Sequence, residues 1–147
     1  TMTSGVLPAQ ALRELIASGA LSARPAIQDD QLQPASLDLR LGPVAYRVRA
    51  SFLAGRDRTV RDRLAEFTMH KVDLADGAVL EKNCVYVIPL AEHLALPAGV
   101  TAVANAKSSS GRLDLLTRTI TDGGVEFDRI PAGYTGPLYA EVCPRSF

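Results

Sequence analysis

Thr117-Arg-Thr-Ile-Thr-Asp-Gly-Gly-Val-Glu-Phe-Asp-Arg-Ile-Pro-Ala-Gly-Tyr-Thr-Gly-Pro-Leu-Tyr-Ala-Glu-Val-Cys143 is a succession of short strand-forming runs cut by turn residues. Residues 117–121, 124–128 and 138–143 are the runs, and Asp122-Gly123-Gly124 and Pro131-Ala132-Gly133 are the turns. β-branched and aromatic runs separated by Asp-Gly and Pro-x-Gly predict antiparallel hairpins. The same rhythm extends upstream, with runs at 68–74, 78–81, 84–90 and 100–106 and turns at Asp76-Gly77 and Pro97-Ala98-Gly99. Further upstream, Ser36-Leu37-Asp38-Leu39-Arg40-Leu41 alternates strictly, which reads as a strand with its leucines on one face. Gly42-Pro43 interrupts it, and Val44, Tyr46 and Val48 alternate again. The pattern predicts an all-β barrel or jelly-roll-like sandwich. One helix is expected over residues 8–18, with Pro8 in its first turn, Gly19 at its C-cap, and Ala11, Leu12, Leu15 and Ile16 as its apolar face.

The bulk numbers fit one globular domain over 1–147, with the β core over about 35–147. The chain is 47% hydrophobic and 22% charged, enough apolar material for a real core. Sixteen Lys+Arg balance sixteen Asp+Glu. Zero net charge argues against duplex nucleic acid as the main partner, while leaving room for a small anion at a local cationic cluster. Cys84 and Cys143 have no metal-like spacing, which fits a reducing cytoplasm rather than a disulfide framework. No apolar run approaches the roughly 20 residues of a membrane span, and no signal peptide is visible. Thr1-Met2 reads as a cloning residue ahead of a natural start. The chain ends at Pro144-Arg145-Ser146-Phe147 directly after a strand pattern, so a fragment of a longer protein is expected.

Several chemistries can be set aside. Arg56, Arg58, Arg61 and Arg63 are interleaved with Asp57, Asp62 and Glu66, which reads as a solvated helical or loop excursion rather than a basic patch. The histidines are His70, in an alternating strand, and His93, expected in a turn. Neither opens an H-x-E motif, and there is no C-x-x-C, so the zinc nucleobase deaminase signature is missing. There is no G-x-S-x-G elbow, Walker A loop or G-x-G-x-x-G fingerprint.

Two features retain chemical content. Lys107-Ser108-Ser109-Ser110-Gly111-Arg112 places three hydroxyls and a glycine between two cations. It reads either as a solvated turn between strands or as an amide nest with fixed positive charge for a phosphate. The second feature is carboxylates. Asp128 ends the run Val125-Glu126-Phe127-Asp128, and Glu141 interrupts the apolar run Leu138–Cys143. Glu141 either faces solvent beside Tyr139, or is a partly buried acid of raised pKa near Arg112, acting as general base on water.

Taken together, these segments resemble the deoxycytidine triphosphate deaminase branch of the trimeric dUTPase fold family. Gln33–Gly42 resembles that family's early strand, which reads Ser/Thr-Leu/Val-Asp-Leu/Val-Arg-Leu-Gly. Lys107–Leu113 resembles its Arg-Ser-Ser-x-x-Arg-Leu phosphate loop, with Lys107 where Arg is usual. Asp128, Gly133-Tyr134-Thr135-Gly136 and Leu138-Tyr139-Ala140-Glu141 resemble the block holding deoxyribose and the catalytic glutamate, with a few extra residues between Thr121 and Gly133. The likeness covers about 8–147, loosely over 43–80.

The resemblance implies a mainly β, dUTPase-like distorted barrel or jelly roll with an N-terminal helix. It implies hydrolytic deamination of dCTP to dUTP, supplying dUTP for thymidylate synthesis, without zinc and with Mg2+ carried on the triphosphate. Lys107, Ser109, Ser110 and Gly111 would contact the triphosphate. Ser108 and Arg112 would line the catalytic site with Glu141, Asp128 would bind the sugar 3′-hydroxyl, and the main chain at Tyr139 and Ala140 would read the base. A trimer or trimer-like homo-oligomer with shared sites is implied, without nucleic acid or membrane. The family's last strands would lie beyond Phe147, so the chain is expected to be the first module of a two-module bacterial protein. Two other functions stay open: dUTP diphosphate hydrolysis, alone or after deamination, with Asp128 activating water, and a non-catalytic nucleotide-binding module.

Overall fold

Helix α1 occupies Ala9–Ser18 in the computed structural model, which describes residues 9–23, 26–28, 31–32, 39–75, 77, 80–103 and 115–144. The helix ends as expected. Gly19 takes φ +86° and its N–H bonds to the Ile16 carbonyl, a backbone state in which glycine lacks the Cβ penalty. Leu12, Leu15 and Ile16 pack on a core of Leu21, Leu94, Leu96, Ile130, Tyr134 and Leu138. Burying each leucine of that core contributes about 1.5–3 kcal/mol.

The remaining elements are β1 (Leu21–Ala23), β2 (Val44–Val48), α2 (Val60–Phe67), β3 (Thr68–Asp73), β4 (Val85–Ala95), β5 (Ala102–Val103), β6 (Leu115–Thr121), β7 (Arg129–Ile130) and β8 (Thr135–Pro144). The main sheet runs β3-β2-β4-β8-β6, with β1 also on β4, and β5 pairs with β7. All pairings are antiparallel. The mainly β architecture with an N-terminal helix is therefore as the sequence indicates. Among the described residues no helix is long and apolar enough to cross a membrane.

One face of the sheet carries Val48, Val87, Ile120 and Tyr139, covered by Phe52 and by Val60 and Leu64 of α2. The other carries Ala45, Tyr86, Ile88, Ala140 and Val142. The charged stretch is indeed a helical excursion. Thr59 and Asp62 form a capping box at the start of α2, and Asp122 accepts the Val60 N–H at 2.8 Å. Glu66 pairs with Arg58 and Arg63, so part of the charge is neutralised within the excursion.

Strand β4 runs longer than the apolar pattern suggests. It passes through Pro89, where its pairing with β8 is interrupted up to His93. Proline has no N–H to donate, so it belongs at such an irregularity. The Arg40–Gly42 segment fills the opposite edge: Leu41 bridges Leu90, Gly42 N–H donates to Pro89 O at 2.8 Å, and Ala91 N–H donates to Arg40 O at 2.9 Å.

Several local expectations are corrected. His93 is not in a turn but in β4, opposite Ser22 and Pro137. Residues 124–128 form no strand, with bends over 125–128, because Asp128 adopts φ +64° and turns both its N–H and its carboxylate onto Thr119 of β6. Residues 80–81 form no strand. Of the expected strand at 36–41, residues 36–38 lie outside the described residues; Leu39 packs on the α1 core while Leu41 is 54% exposed, since a single bridge replaces a ladder there. Strand β1 was not expected. The three turns at Gly99, Gly123 and Gly133 are present, each with a glycine at positive φ.

Candidate active site

Glu141 lies in the middle of β8, flanked by Val87 of β4 and Arg118 of β6. Alternation puts it on the same face as Tyr139, as expected, but that face does not meet solvent. Glu141 is 3% exposed and Tyr139 2%, because α2 and the loop after β2 lie over them. A buried carboxylate needs partners, and two are supplied. The Arg118 Nε and Nη2 atoms approach Oε2 at 3.1 and 2.9 Å, and the Ser51 hydroxyl donates to Oε1. Arg118 Nη2 also donates to Ser51 Oγ at 3.3 Å, closing a three-residue ring of contacts. On its far side the Arg118 guanidinium lies 4.1 Å from the centre of the Phe127 ring, a cation–π contact.

Neither Ser51 nor Arg118 was picked out from the sequence. Arg118 had a signal: it alternates with Ile120 on β6 as Glu141 alternates with Tyr139 on β8. The register that pairs 118 with 141 was needed to use it. Ser51 had none, since it sits in an irregular loop.

Asp128 follows Phe127 directly and stands one strand over from Ala140. Its Oδ1 accepts the Thr119 N–H at 2.7 Å, and Thr119 pairs with Ala140. The backbone at Tyr139 and Ala140 faces Pro89 and Ile88 on one side, Ile120 and Thr119 on the other. The ladder to β4 stops beyond Tyr139, where the base-reading main chain was expected. The Tyr139 ring lies under Arg61 of α2, whose guanidinium also stacks on Tyr46 and donates to its hydroxyl at 2.7 Å. Burial pushes the Tyr139 phenol upward, reinforced by the nearby Asp122 charge and opposed by Arg61.

Lys107, Ser108, Ser109, Ser110, Gly111 and Arg112 lie outside the described residues. The strands on either side are placed: β5 ends at Val103 and β6 begins at Leu115, leading into Arg118. A cavity of about 570 Å³ opens between β5, β7 and the 123–126 bend, lined by Arg56, Thr101, Val125, Glu126 and Arg129 among others. Glu141 is not among its lining residues.

A second buried carboxylate, Glu92 of β4, was missed because the strand was expected to stop before it. It is fully buried. It accepts the Arg40 N–H at 2.7 Å, Arg40 Nε at 2.9 Å and Gln31 Nε2 at 3.2 Å. By alternation it shares the α1 side of the sheet with Leu94, away from Glu141. With its oxygens so engaged, it ties Arg40 and Gln31 to β4. Among the described residues no three His, Cys, Asp or Glu side chains converge on a point, so these residues offer no ligand set for zinc.

The chain and its fold have counterparts among known proteins. The model of the 2′-deoxycytidine 5′-triphosphate deaminase N-terminal domain family matches residues 3–147. The crystal structure of 2′-deoxycytidine 5′-triphosphate deaminase from Agrobacterium tumefaciens is 57% identical, superimposes with a TM-score of 0.94, and covers 99% of this chain and 44% of its own. The chain thus spans less than half the length of that protein. A "dCTP deaminase, dUMP-forming" from Sulfurihydrogenibium sp. (strain YO3AOP1) is 29% identical over 125 residues, 82% of this chain and 67% of the relative. The expected dUTPase-like fold holds. A match over nearly the whole length, on a backbone that superimposes this closely, places the chain in the family of dCTP deaminase N-terminal domains.

Proposed function

We propose that the chain carries the hydrolytic deamination of dCTP to dUTP and ammonia, as a cytoplasmic enzyme of nucleotide metabolism. The observation that supports this most is Glu141: a buried carboxylate with a cation on one oxygen and a hydroxyl on the other. Such a group is held in one orientation, as a base acting on a single water must be. Water attacks C4 of the cytosine ring, Glu141 collects a proton, and the C4–N4 bond breaks as ammonia leaves. Pyrophosphohydrolysis has no need of a base beside the ring, so Glu141 favours deamination.

In this reading Lys107, Ser109, Ser110 and Gly111 hold the triphosphate, Ser108 and Arg112 complete the catalytic surroundings, and Asp128 meets the sugar 3′-hydroxyl. The main chain at Tyr139 and Ala140, beside the break in the β4 ladder, reads the base. Magnesium arrives with the nucleotide and belongs to the substrate. The chemistry runs without zinc, on the carboxylate alone. The working form is a trimer or trimer-like assembly with sites shared between modules, and the chain acts as the first module of a longer protein.

A second reading adds dUTP diphosphate hydrolysis, since the Sulfurihydrogenibium relative is named dUMP-forming. The assay is ammonia and pyrophosphate release, measured separately on dCTP and dUTP, with the chain alone and in its full-length polypeptide. Ammonia from dCTP without pyrophosphate supports simple deamination. Pyrophosphate from dUTP supports the bifunctional reading. Neither product from either polypeptide would leave a binding module.

A further inference from the structure

Glu141 is buried, and its two oxygens are not equivalent. Oε2 takes both contacts from Arg118, so its lone pairs are committed to the guanidinium. Oε1 takes the hydroxyl of Ser51, and Ser51 itself is exposed. Ser51 is therefore the hydroxyl that links Oε1 to water, while the partly exposed Arg118 holds Oε2. The serine oxygen has one proton and two lone pairs. Its proton points at Oε1, one lone pair faces Arg118 Nη2 at 3.3 Å, and among the described residues nothing donates to the other.

We propose that Ser51 relays protons between Glu141 and the reacting water, with Arg118 as the residue that positions both. The inference rests on the deaminase reading of Glu141. In the forward step a water O–H breaks and its proton passes to Ser51 Oγ, while the serine's own proton moves to Glu141 Oε1. The oxygen lone pair released from water forms the bond to C4. Glu141 gives that proton to ring N3 by the reverse transfer. A second passage carries the proton of the new C4 hydroxyl to the amino group. The C4–N4 bond then breaks, C4=O forms, and ammonia leaves. Of water's two protons one ends on N3 and one on ammonia, and Ser51 and Glu141 are restored.

The test is steady-state deamination of dCTP by the full-length polypeptide, with Glu141→Gln as control. Ser51→Ala should lower kcat about 10- to 100-fold, a share of what acid–base catalysis contributes, with unchanged KM and a lowered melting temperature, because Oε1 of a buried carboxylate loses a donor. Ser51→Thr keeps the hydroxyl and should keep most of the turnover. In mixtures of light and heavy water the wild type should give a curved dependence of rate on deuterium fraction, and Ser51→Ala a linear one, because a second moving proton has been removed. Wild-type kcat in Ser51→Ala beside an inactive Glu141→Gln would overturn the relay and leave the base intact. A raised KM with intact kcat would also overturn it, by confining Ser51 to binding. An active Glu141→Gln would overturn the reading of Glu141 and the relay together.

Discussion

Replacing Arg40 by Met removes the cation from a carboxylate that cannot reach water. Glu92 is 0% exposed and Arg40 29%, with Nε 2.9 Å from Oε2. The variant keeps the backbone donor of residue 40, 2.7 Å from Oε1 in the wild type, and the Gln31 amide at 3.2 Å. It therefore leaves a hydrogen-bonded but uncompensated charge. Breaking a buried pair from one side costs about 3–5 kcal/mol. Partial exposure of the arginine places this case at the low end, about 3 kcal/mol. For a domain of this size that corresponds to a fall in Tm of about 6–12 °C. Chemical denaturation at neutral pH should show a lower midpoint with unchanged m. The double variant Arg40→Met/Glu92→Gln replaces the stranded charge by a neutral amide and should recover about 1–2 kcal/mol, non-additively. A loss below about 1 kcal/mol for Arg40→Met, or a double variant no more stable than the single, would refute the reasoning.

Glu141→Gln should bind dCTP nearly as well as wild type and release ammonia about 100- to 10,000-fold more slowly; calorimetric titration and an ammonia assay read the two quantities. Gly42→Ala should destabilise by about 1–3 kcal/mol, measured by thermal melting, because its Cβ would stand 2.6 Å from the backbone oxygen of Pro89. Tyr134 is raised from 10.0 to about 12, chiefly by burial. Its folded value lies above its unfolded one, so the stability it contributes is present below the unfolded value and is lost as pH rises through about 12. Ultraviolet titration of tyrosinate should show a late-ionising phenol that disappears in Tyr134→Phe.

Much of the fold was legible because its punctuation is local. Gly19, Gly99, Gly123 and Gly133 mark turns or a helix end that the backbone takes at positive φ. What escaped depends on partners distant in sequence. The run expected to end at 90 continues to Ala95, because the Arg40–Gly42 segment supplies hydrogen bonds on its edge. That shortening hid Glu92 and misplaced His93. Glu141 was visible as a polar residue in an apolar run, with solvent exposure and partial burial both open; the choice was not legible, since α2 and the loop after β2 cover it from elsewhere in the chain. Ser51 meets Glu141 across 90 positions of sequence, and no periodicity encodes such a meeting. The cationic serine loop was the loudest signal in the sequence, and it lies outside the described residues.

The left-handed turn at Asp128 also bears on how the sheet edge is kept from open-ended strand pairing. Among the described residues strand β6 ends the main sheet, and an outermost strand offers bare amides and carbonyls to any passing chain. At Thr119 neither group is on offer: the carbonyl takes the Asp128 N–H at 2.9 Å, and the N–H is taken by the Asp128 carboxylate. One residue thus stands in for a neighbouring strand, contributing a donor from its backbone and an acceptor from its side chain. An added chain would have to displace it to continue the ladder. The margin at β3 has another defence, the exposed His70 and Lys71 beside Met69. One margin of the sheet is thus occupied by a hydrogen-bonded plug, and the other is flanked by exposed polar side chains.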